Sequence, residues 1–540
     1  MTAPAAPQRT GRASAVLASG TIVSRLLGFV SAVVLTWTVG AVGSGPTAFA
    51  LANQLPTYIY AIVAGGLLSA VLVPHIVRAA HEQTDGGQAF VNRLVTLGVS
   101  AFFVAAVLTT FAAPLLVRLY ALDGSDRALA GGGLELAIVL AYWCLPQIFF
   151  YAVYALVGEV LNARGVFGPS AWAPVVNNVV MIGGLVAFAA LYGVAPAHAD
   201  PATWDAGRIA LLGGSATLGV VLQAAVLLFF WKRTGLTFRP DFRWRGAGLG
   251  APARAAGWVF GMVLVVQLTN FVQNNVATTV DDGDASLPVL RITWLIFMLS
   301  HSIIAISIAT PYFTRMSHAV QAADTAALRA DLATSLKLIG MLVAGAGAAL
   351  AAAALPFSAL FDAEHADIIA IVLLGFLVGL VPFSTLYLVQ RAFYALGDTR
   401  TPFFLQVLQA VLFVAGILAL LLAPSEWRAA GIALVTSLSV IVQAVVGAVL
   451  LSRRIGGGGA GVARRFGVFA LATIPAAVAG VGVLALLGGF TPGGFATAGP
   501  VEAFVSTGAV GAASLVVFLG VLVLSRAPEL RGARSFITRN

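Results

Sequence analysis

Two arginines inside long apolar segments are the clearest candidates in this chain for a chemical or binding role. Arg25 lies about eleven residues into the first segment, which is roughly 16 Å along a helix at about 1.5 Å per residue. A charge near the bilayer centre costs at least about 2.5–3.5 kcal/mol, so Arg25 is predicted to face an aqueous cavity and bind an anionic group. The alternative is a structural arginine bonded to neighbouring carbonyls. Arg291, near one end of the eighth segment, is a further candidate for binding a substrate, with the alternative that its long stem reaches the interface.

The seventh apolar segment carries a polar stripe. Gln267, Asn270 and Asn274 are spaced i, i+3, i+7, which places them on one helix face. Such a stripe either lines a hydrophilic cavity or bonds one helix to another, and the spacing leaves both open. His301 in the eighth segment is a candidate proton or ion carrier, with a packing role as the alternative.

The second apolar segment has the composition of an interrupted helix. It contains Asn53, a further candidate for the polar lining, together with Pro56, Gly65, Gly66 and Pro74. Irregular backbone at membrane depth is tolerated where it lines a cavity or is covered by protein. The pattern predicts either a helix that bends during transport or close packing at the glycines.

Composition sets the environment in which these residues act. The chain has 540 residues, of which 60% are hydrophobic and 9% charged, against about 25% charged in an average soluble domain. An ordinary soluble protein is excluded, and the single cysteine, Cys144, excludes a disulfide framework or a cysteine-rich metal site. Phosphate-loop and HExxH motifs are missing and no loop is large enough for a separate domain, so neither an enzyme nor a metal or organic cofactor is expected.

The chain is predicted to be an all-α polytopic membrane protein. Fourteen segments reach the roughly 20 apolar residues that a crossing helix requires, and their runs are solid rather than alternating as in barrel strands. The predicted spans are 14–42, 47–78, 90–121, 133–161, 168–193, 208–231, 254–279, 287–315, 332–360, 367–396, 402–423, 428–452, 465–489 and 502–525.

Basic residues predict the orientation. With a cytoplasmic N-terminus, 24 of the 30 Lys and Arg residues fall on the cytoplasmic side, as the positive-inside rule requires. Both termini are therefore expected in the cytoplasm. The net charge of +9 is explained by topology, so nucleic-acid binding is not expected.

A weak internal repeat predicts two six-helix lobes. Residues 113–116 (APLL) are echoed at 355–357 (LPF), and 161–165 (LNARG) at 393–397 (FYALG). Parallel lobes around a central cavity are a transporter architecture. The predicted organisation is a tail at 1–13, an N-lobe at 14–231, a basic connector at 232–253, a C-lobe at 254–452, a helix pair at 453–525 and a basic tail at 526–540.

Several motifs resemble those of the MurJ (MviN) lipid II flippases of the MOP exporter superfamily. They are 24–29 (SRLLGF, with Gly28), 54–56 (QLP), 161–163 (LNA), 173–178 (APVVNN, with Pro174) and 391–402 (RAFYALGDTRTP, with Arg391, Gly397, Asp398, Arg400 and Pro402). The resemblance implies a MATE-like fold and a bacterial plasma membrane location. It also implies a lipid-accessible groove along the last two helices.

The resemblance implies that the protein moves lipid II, an undecaprenyl-pyrophosphate-linked peptidoglycan precursor, to the outer leaflet by alternating access. An ion or the membrane potential would drive this movement. Membrane lipids and proteins of cell-wall synthesis or division are the other expected partners.

The chain departs from the family pattern at Ser31, Ala32, Thr47 and Tyr60-Ala61, where the family commonly has charged residues. Two alternatives remain: an exporter of another lipid-linked glycan or a drug, and a non-transporting membrane scaffold.

Overall fold

The computed structural model describes residues 8–67, 85, 87–122, 127–243, 253–457, 459–491 and 493–530. All regular elements in these ranges are helices, so the prediction of an all-α protein is confirmed. Twelve helices are long and apolar enough to cross a membrane, and one bent pair makes thirteen. These coincide with thirteen of the fourteen predicted spans. The second predicted span begins as a helix at 44–67, while its remainder, which includes Pro74, lies outside the described residues.

Nineteen α-helices are used below. They are α1 (Gln8–Val39), α2 (Ser44–Leu67), α3 (Gln88–Phe111), α4 (Ala113–Tyr120), α5 (Gly133–Cys144), α6 (Gln147–Ala163), α7 (Gly168–Tyr192), α8 (Ala206–Phe229), α9 (Ala253–Ala277), α10 (Leu287–His301), α11 (Ser307–Gln321), α12 (Thr325–Ala352), α13 (Ala354–Ala359), α14 (Ala366–Leu377), α15 (Leu380–Ala395), α16 (Arg400–Ala419), α17 (Arg428–Ile455), α18 (Gly459–Leu486) and α19 (Pro500–Leu524).

Paired helix breaks reproduce the internal repeat. The third span breaks into α3 and α4 at Ala112, and the ninth breaks into α12 and α13 at Ala353. The fourth span breaks between α5 and α6, and the tenth bends by 40° between α14 and α15. Proline stands at or just after each break, at positions 114, 146, 356 and 382, and a proline lacks the N–H that would continue the ladder.

The turns that end α6 and α15 are built alike. Gly165 and Gly397 both have a positive φ, of 77° and 74°, which glycine adopts without steric cost. After each glycine, the next amide donates back into the helix, from Val166 to the Leu161 carbonyl (2.8 Å) and from Asp398 to the Phe393 carbonyl (2.9 Å). This is the Schellman arrangement for closing a helix C-terminus. The predicted repeat is therefore visible in backbone geometry.

The chain divides into two compact units, residues 1–278 and 279–540. The sequence places the boundary at 253/254, whereas the structure groups α9 with the first unit. The reason is local bonding: the Gln267 side chain donates to the Tyr58 carbonyl of α2 (2.6 Å), and Asn275 bonds the backbone of Leu119 and Leu122 after α4. Side-chain hydrogen bonds to another helix are not readable from hydropathy.

In the second unit, the last two long helices pack on α12 and on each other. Small residues allow the approach: a Cβ on Gly345 would lie 2.9 Å from the Phe518 ring, and one on Gly480 would lie 2.1 Å from the Ser514 hydroxyl. Glycine at such crossings lets helices approach closely in a membrane. Among its described residues, the second unit thus contains a five-span bundle on which α18 and α19 form an added pair.

Asp398 fixes the junction between α15 and α16. Its carboxylate accepts from the Thr401 amide (2.9 Å) and hydroxyl (2.7 Å) and pairs with Arg454 of α17. Burial alone would raise the pKa of Asp398, but these hydrogen bonds and the arginine outweigh it and lower that pKa.

We expect Asp398→Asn to destabilise the protein by about 1 kcal/mol, the usual value of a helix cap. Because the pKa is lowered on folding, the stabilisation is fully present above the ordinary carboxyl pKa of about 4 and is lost as pH falls through the lowered value. Thermal unfolding of both proteins from pH 3 to pH 7 measures this. A difference between them that stays constant down to pH 3 would contradict it.

Candidate functional site

Arg25 lies half-buried on α1. Its guanidinium makes no hydrogen bond or ion pair within the described ranges. The residues of α1 that are most exposed follow a different line, at i, i+4 and i+8, and are Ile22, Leu26 and Val30. Around the helix, Arg25 is offset by about 60° from Ile22 and by about 100° from Leu26, so it lies beside the apolar stripe that suits lipid. A half-buried cation with no partner in the described ranges is free to bind an anion.

The helix turn around Arg25 is held by α7. Asn178 donates from Nδ2 to the Ser24 carbonyl (2.9 Å). Gly28, one turn on, faces the same asparagine, since a Cβ there would lie 3.8 Å from its amide. Pro174 lies inside α7 one turn before Asn178. The motifs at 24–29 and 173–178 thus meet in the fold, and they position the backbone that carries Arg25.

The polar stripe of α9 forms part of a hydrogen-bonded network with α2. Gln267 is buried and donates to the Tyr58 carbonyl (2.6 Å), while Asn270 donates to the Gln267 amide oxygen (3.0 Å). The Tyr58 hydroxyl in turn donates to Gln54 (2.5 Å). Gln267 therefore bonds one helix to another, and Asn270 is the half-buried end of the network.

Aromatic contacts extend this network to α4. Tyr58 stacks on Tyr120 with ring centroids 5.8 Å apart, and Tyr120 meets Phe271 edge-on at 5.3 Å. Sequence reasoning missed both tyrosines. Tyr120 lies near a predicted span end, where tyrosine is typical of an interfacial residue, and Tyr58 belongs to no polar stripe along its helix. Pro56 lies two residues before Tyr58 within α2. The network therefore surrounds Pro56, which lies inside a helix that is continuous from Ser44 to Leu67 and includes Gly65 and Gly66. Within these described residues the helix is not interrupted, and the remainder of the predicted span lies outside them.

Two further predicted side chains of this unit have distinct surroundings. Asn274 is 1% exposed, and its Nδ2 finds no acceptor among the described residues. Asn53 is half-buried and also makes no hydrogen bond in the part of the chain that the structure describes. Within the polar stripe, Gln267 and Asn270 hydrogen-bond to each other, whereas Asn274 bonds to neither of them. A common substrate-binding role for the three residues stays a prediction.

We expect Gln267→Leu to lower the free energy of unfolding by about 0.6–2 kcal/mol, the usual range for interhelical hydrogen bonds in membranes. It removes the bonds to both Tyr58 and Asn270. Asn270→Leu removes only the second bond and should cost less. Thermal unfolding of the purified variants tests this order, and equal stability of wild type and Gln267→Leu would show that the network does not bind α9 to α2.

The predicted residues of the second unit have different environments. Arg291 is exposed on α10. His301 is buried, 3.0 Å from the Ser384 hydroxyl, with its ring edge-on to Phe383 at 4.7 Å. A π-helical segment, Ser302–Ile306, follows it, and such segments are frequent at functional sites. Through these contacts His301 links α10 to α15. Its role as a proton or ion relay stays a prediction.

The longest motif, 391–402, builds the junction of α15 and α16. Arg391 donates to the Tyr387 hydroxyl (2.8 Å) and lies over the rings of Tyr387 (5.0 Å) and Phe313 (5.4 Å). Arg400 lies over Phe404, and Pro402 is buried in the first turn of α16. These contacts hold the junction together, and the conformational role of these residues stays a prediction.

Comparison with known proteins identifies the family. The family described as "Lipid II flippase MurJ" matches residues 39–498. The chain belongs to this family.

Relatives and solved structures agree with this assignment. The chain is 27% identical to the probable lipid II flippase MurJ of Haemophilus influenzae over 71% of this chain and 75% of that one. It is 25% identical to the lipid II flippase MurJ of Burkholderia cenocepacia over 72% and 74%. A lipid II flippase MurJ structure in an inward closed conformation superposes with a TM-score of 0.71 at 17% identity, covering 94% of this chain and 98% of that chain. An inward-facing MATE family transporter of the MOP superfamily gives 0.61, at 17% identity over 80% and 94%. The predicted MATE-like fold is confirmed.

Membership of the MurJ family makes one departure informative. Tyr60 stands where the resemblance implies an arginine, and its ring contacts Phe102 and Tyr151, both at 5.8 Å. Glu159 of α6 is close enough to interact electrostatically with Tyr60. Sequence reasoning missed Glu159, although an acidic residue two positions before the end of a predicted span is a signal that could have found it. This MurJ relative has a tyrosine and a carboxylate in place of added positive charge.

Proposed function

We propose that this protein is a lipid II flippase of a bacterial plasma membrane. In this proposal it moves the undecaprenyl-pyrophosphate-linked peptidoglycan precursor from the inner to the outer leaflet by alternating access, with both termini in the cytoplasm. Family membership over 39–498 supports the transport class. The observation that carries the substrate is Arg25, a half-buried cation with no partner in the described ranges.

The chemistry of a pyrophosphate suits this arginine. A guanidinium presents a rigid fork of N–H donors that matches phosphate oxygens, and low-dielectric surroundings strengthen the attraction. The Asn178 bond and the close approach at Gly28 hold the helix turn beneath it. The site therefore offers a preorganised cation, while the substrate's polyprenyl tail can remain in lipid.

The driving force in this proposal is an ion gradient or the membrane potential. A pyrophosphate substrate carries negative charge outward across a membrane that is negative inside. Each elementary charge moved in this direction gains about 2.3 kcal/mol per 100 mV. The potential therefore favours the proposed direction of transport without a tightly bound cofactor.

Depletion of the protein in its own bacterium tests the function. Outer-leaflet lipid II is measured with a membrane-impermeant lipid II probe on intact cells, and total lipid II is measured by extraction. We expect outer-leaflet lipid II to fall while the total rises. Unchanged outer-leaflet lipid II would overturn the proposal, and loss of a different lipid-linked glycan would favour a related exporter.

A further inference from the structure

The first unit contains an apolar cavity that the proposed transport path does not use. It has a volume of about 530 Å³ and lies between α3, α6 and α8. Residues on α3, α6 and α8 line it with valine, phenylalanine, alanine and leucine side chains. Its size falls in the range of about 300–1,000 Å³ that small-molecule sites occupy.

Because of the internal repeat, the second unit has an equivalent cleft, and its occupant can be compared. The equivalent helices of the second unit are α12, α15 and α17, and there the cleft is covered by α18 of the same chain. Phe466 of α18 reaches so far into it that a Cβ on Gly340 of α12 would lie 2.4 Å from the phenylalanine ring. A space of about 380 Å³ remains. In the second unit, then, an apolar helix of the protein partly fills the cleft, whereas no fourth α-helix lines the cleft of the first unit among the described residues.

In the described part of the first unit, residues 231–243, which include the first part of the basic connector, lie at one end of the cleft. They are docked on α3: Thr237 accepts from Gln88 (2.9 Å), the Asp241 amide donates to Thr96 (3.1 Å), and the Asp241 carboxylate pairs with Arg93 (3.0 Å). Asp241 also pairs with Arg243. These arginines hold the pKa of Asp241 far below its usual range, so it is ionised and the connector stays docked at physiological pH.

The docked connector places cations and a hydrogen-bond donor at the mouth of the cavity. Lys232 lines the cavity, is exposed, and has no ion pair among the described residues. Arg233, next to it, is also exposed and lies over the Phe230 ring (4.7 Å). Trp231 lines the cavity as well, and its indole Nε1–H is buried with no acceptor in the described part of the chain. A buried donor without an acceptor points to a missing partner.

We infer that this cavity binds an anionic glycerophospholipid from the leaflet on the connector side. An acyl chain would fill the space that α18 fills in the second unit. The phosphate would lie by Lys232 and Arg233, and the Trp231 indole would donate to a phosphate or ester oxygen. Basic pockets between membrane helices on the cytoplasmic side are known to select anionic headgroups. Charge favours an anionic over a zwitterionic lipid, because the two cations lack carboxylate partners within the described residues.

Native mass spectrometry of the detergent-purified full chain tests this inference. Phosphatidylglycerol and phosphatidylcholine with identical acyl chains are titrated separately, and glycerol phosphate is titrated as a headgroup without chains. We expect phosphatidylglycerol to bind at least fivefold more tightly than phosphatidylcholine, and glycerol phosphate to bind more weakly than either lipid. Equal affinity for the two lipids, or glycerol phosphate bound as tightly as phosphatidylglycerol, would overturn the inference.

Variants locate the site. Lys232→Ala with Arg233→Ala should weaken phosphatidylglycerol binding by about fivefold for each cation removed and weaken phosphatidylcholine binding less, because the choline cation offsets the charge of its phosphate. Ala225→Trp, at an exposed position that lines the cavity, should block both lipids. Ala101→Trp, exposed on α3 outside the cavity lining, is its matched control. If folded variants at 225 and 232–233 bind phosphatidylglycerol as wild type does, the site is not this cavity.

Discussion

Replacing Arg25 by alanine should lower the lipid II exposed at the outer leaflet at least tenfold in cells that depend on this protein. The substitution removes the half-buried guanidinium of α1 that has no partner within the described residues. A charge-assisted contact to a phosphate is worth more than a neutral hydrogen bond, and water cannot replace it in a low-dielectric site. Arg25→Lys should restore transport only in part, because a lysine lacks the bidentate fork.

The measurement is complementation of a flippase-depleted strain, with protein amounts compared by immunoblot and outer-leaflet lipid II measured by the impermeant probe. Arg118→Ala is the matched control, since Arg118 is an exposed arginine of the same unit with no described partner. Full complementation by Arg25→Ala would remove Arg25 from the mechanism. Failure of Arg118→Ala as well would show a general sensitivity to lost positive charge.

Breaking the ion pair between Arg465 and Glu529 should cost about 3–5 kcal/mol of stability. The pair is bidentate, with Nε to Oε1 at 2.9 Å and Nη2 to Oε2 at 2.6 Å, and its side chains are 13% and 6% exposed. It ties the first turns of α18 to the segment that follows α19. Arg465→Met leaves a buried carboxylate without its cation, which explains the large expected loss.

The double variant Arg465→Met with Glu529→Leu is the decisive comparison. Replacing both members of a buried pair by apolar residues is often neutral or stabilising, so we expect it to unfold near the wild-type temperature. Arg464→Met, at the exposed neighbouring arginine, is the control and should change little. Similar melting temperatures for wild type and Arg465→Met would mean that the pair does not anchor α18. If the double variant is as unstable as Arg465→Met, packing rather than charge accounts for the loss.

The sequence by itself determined the environment, the helical class and the approximate positions of the spans. Long apolar runs with 9% charged residues have no stable form other than membrane helices, and thirteen of the predicted spans coincide with helices or a bent pair in the structure. The repeat was readable for a related reason. A glycine such as Gly165 or Gly397 that ends a helix with a positive φ is required by backbone sterics.

Tertiary structure alone decided which polar residues meet. Gln267 bonds α2 across 209 positions of sequence, and Tyr58 and Tyr120 join it through ring contacts that leave no periodic pattern. Hydropathy likewise did not predict that α9 belongs to the first unit, because its place there depends on side-chain bonds. It also did not predict the cavity that Lys232 lines. Local sequence fixes helix formation because its hydrogen bonds are local. Partners between helices depend on packing, which brings together residues far apart in the chain.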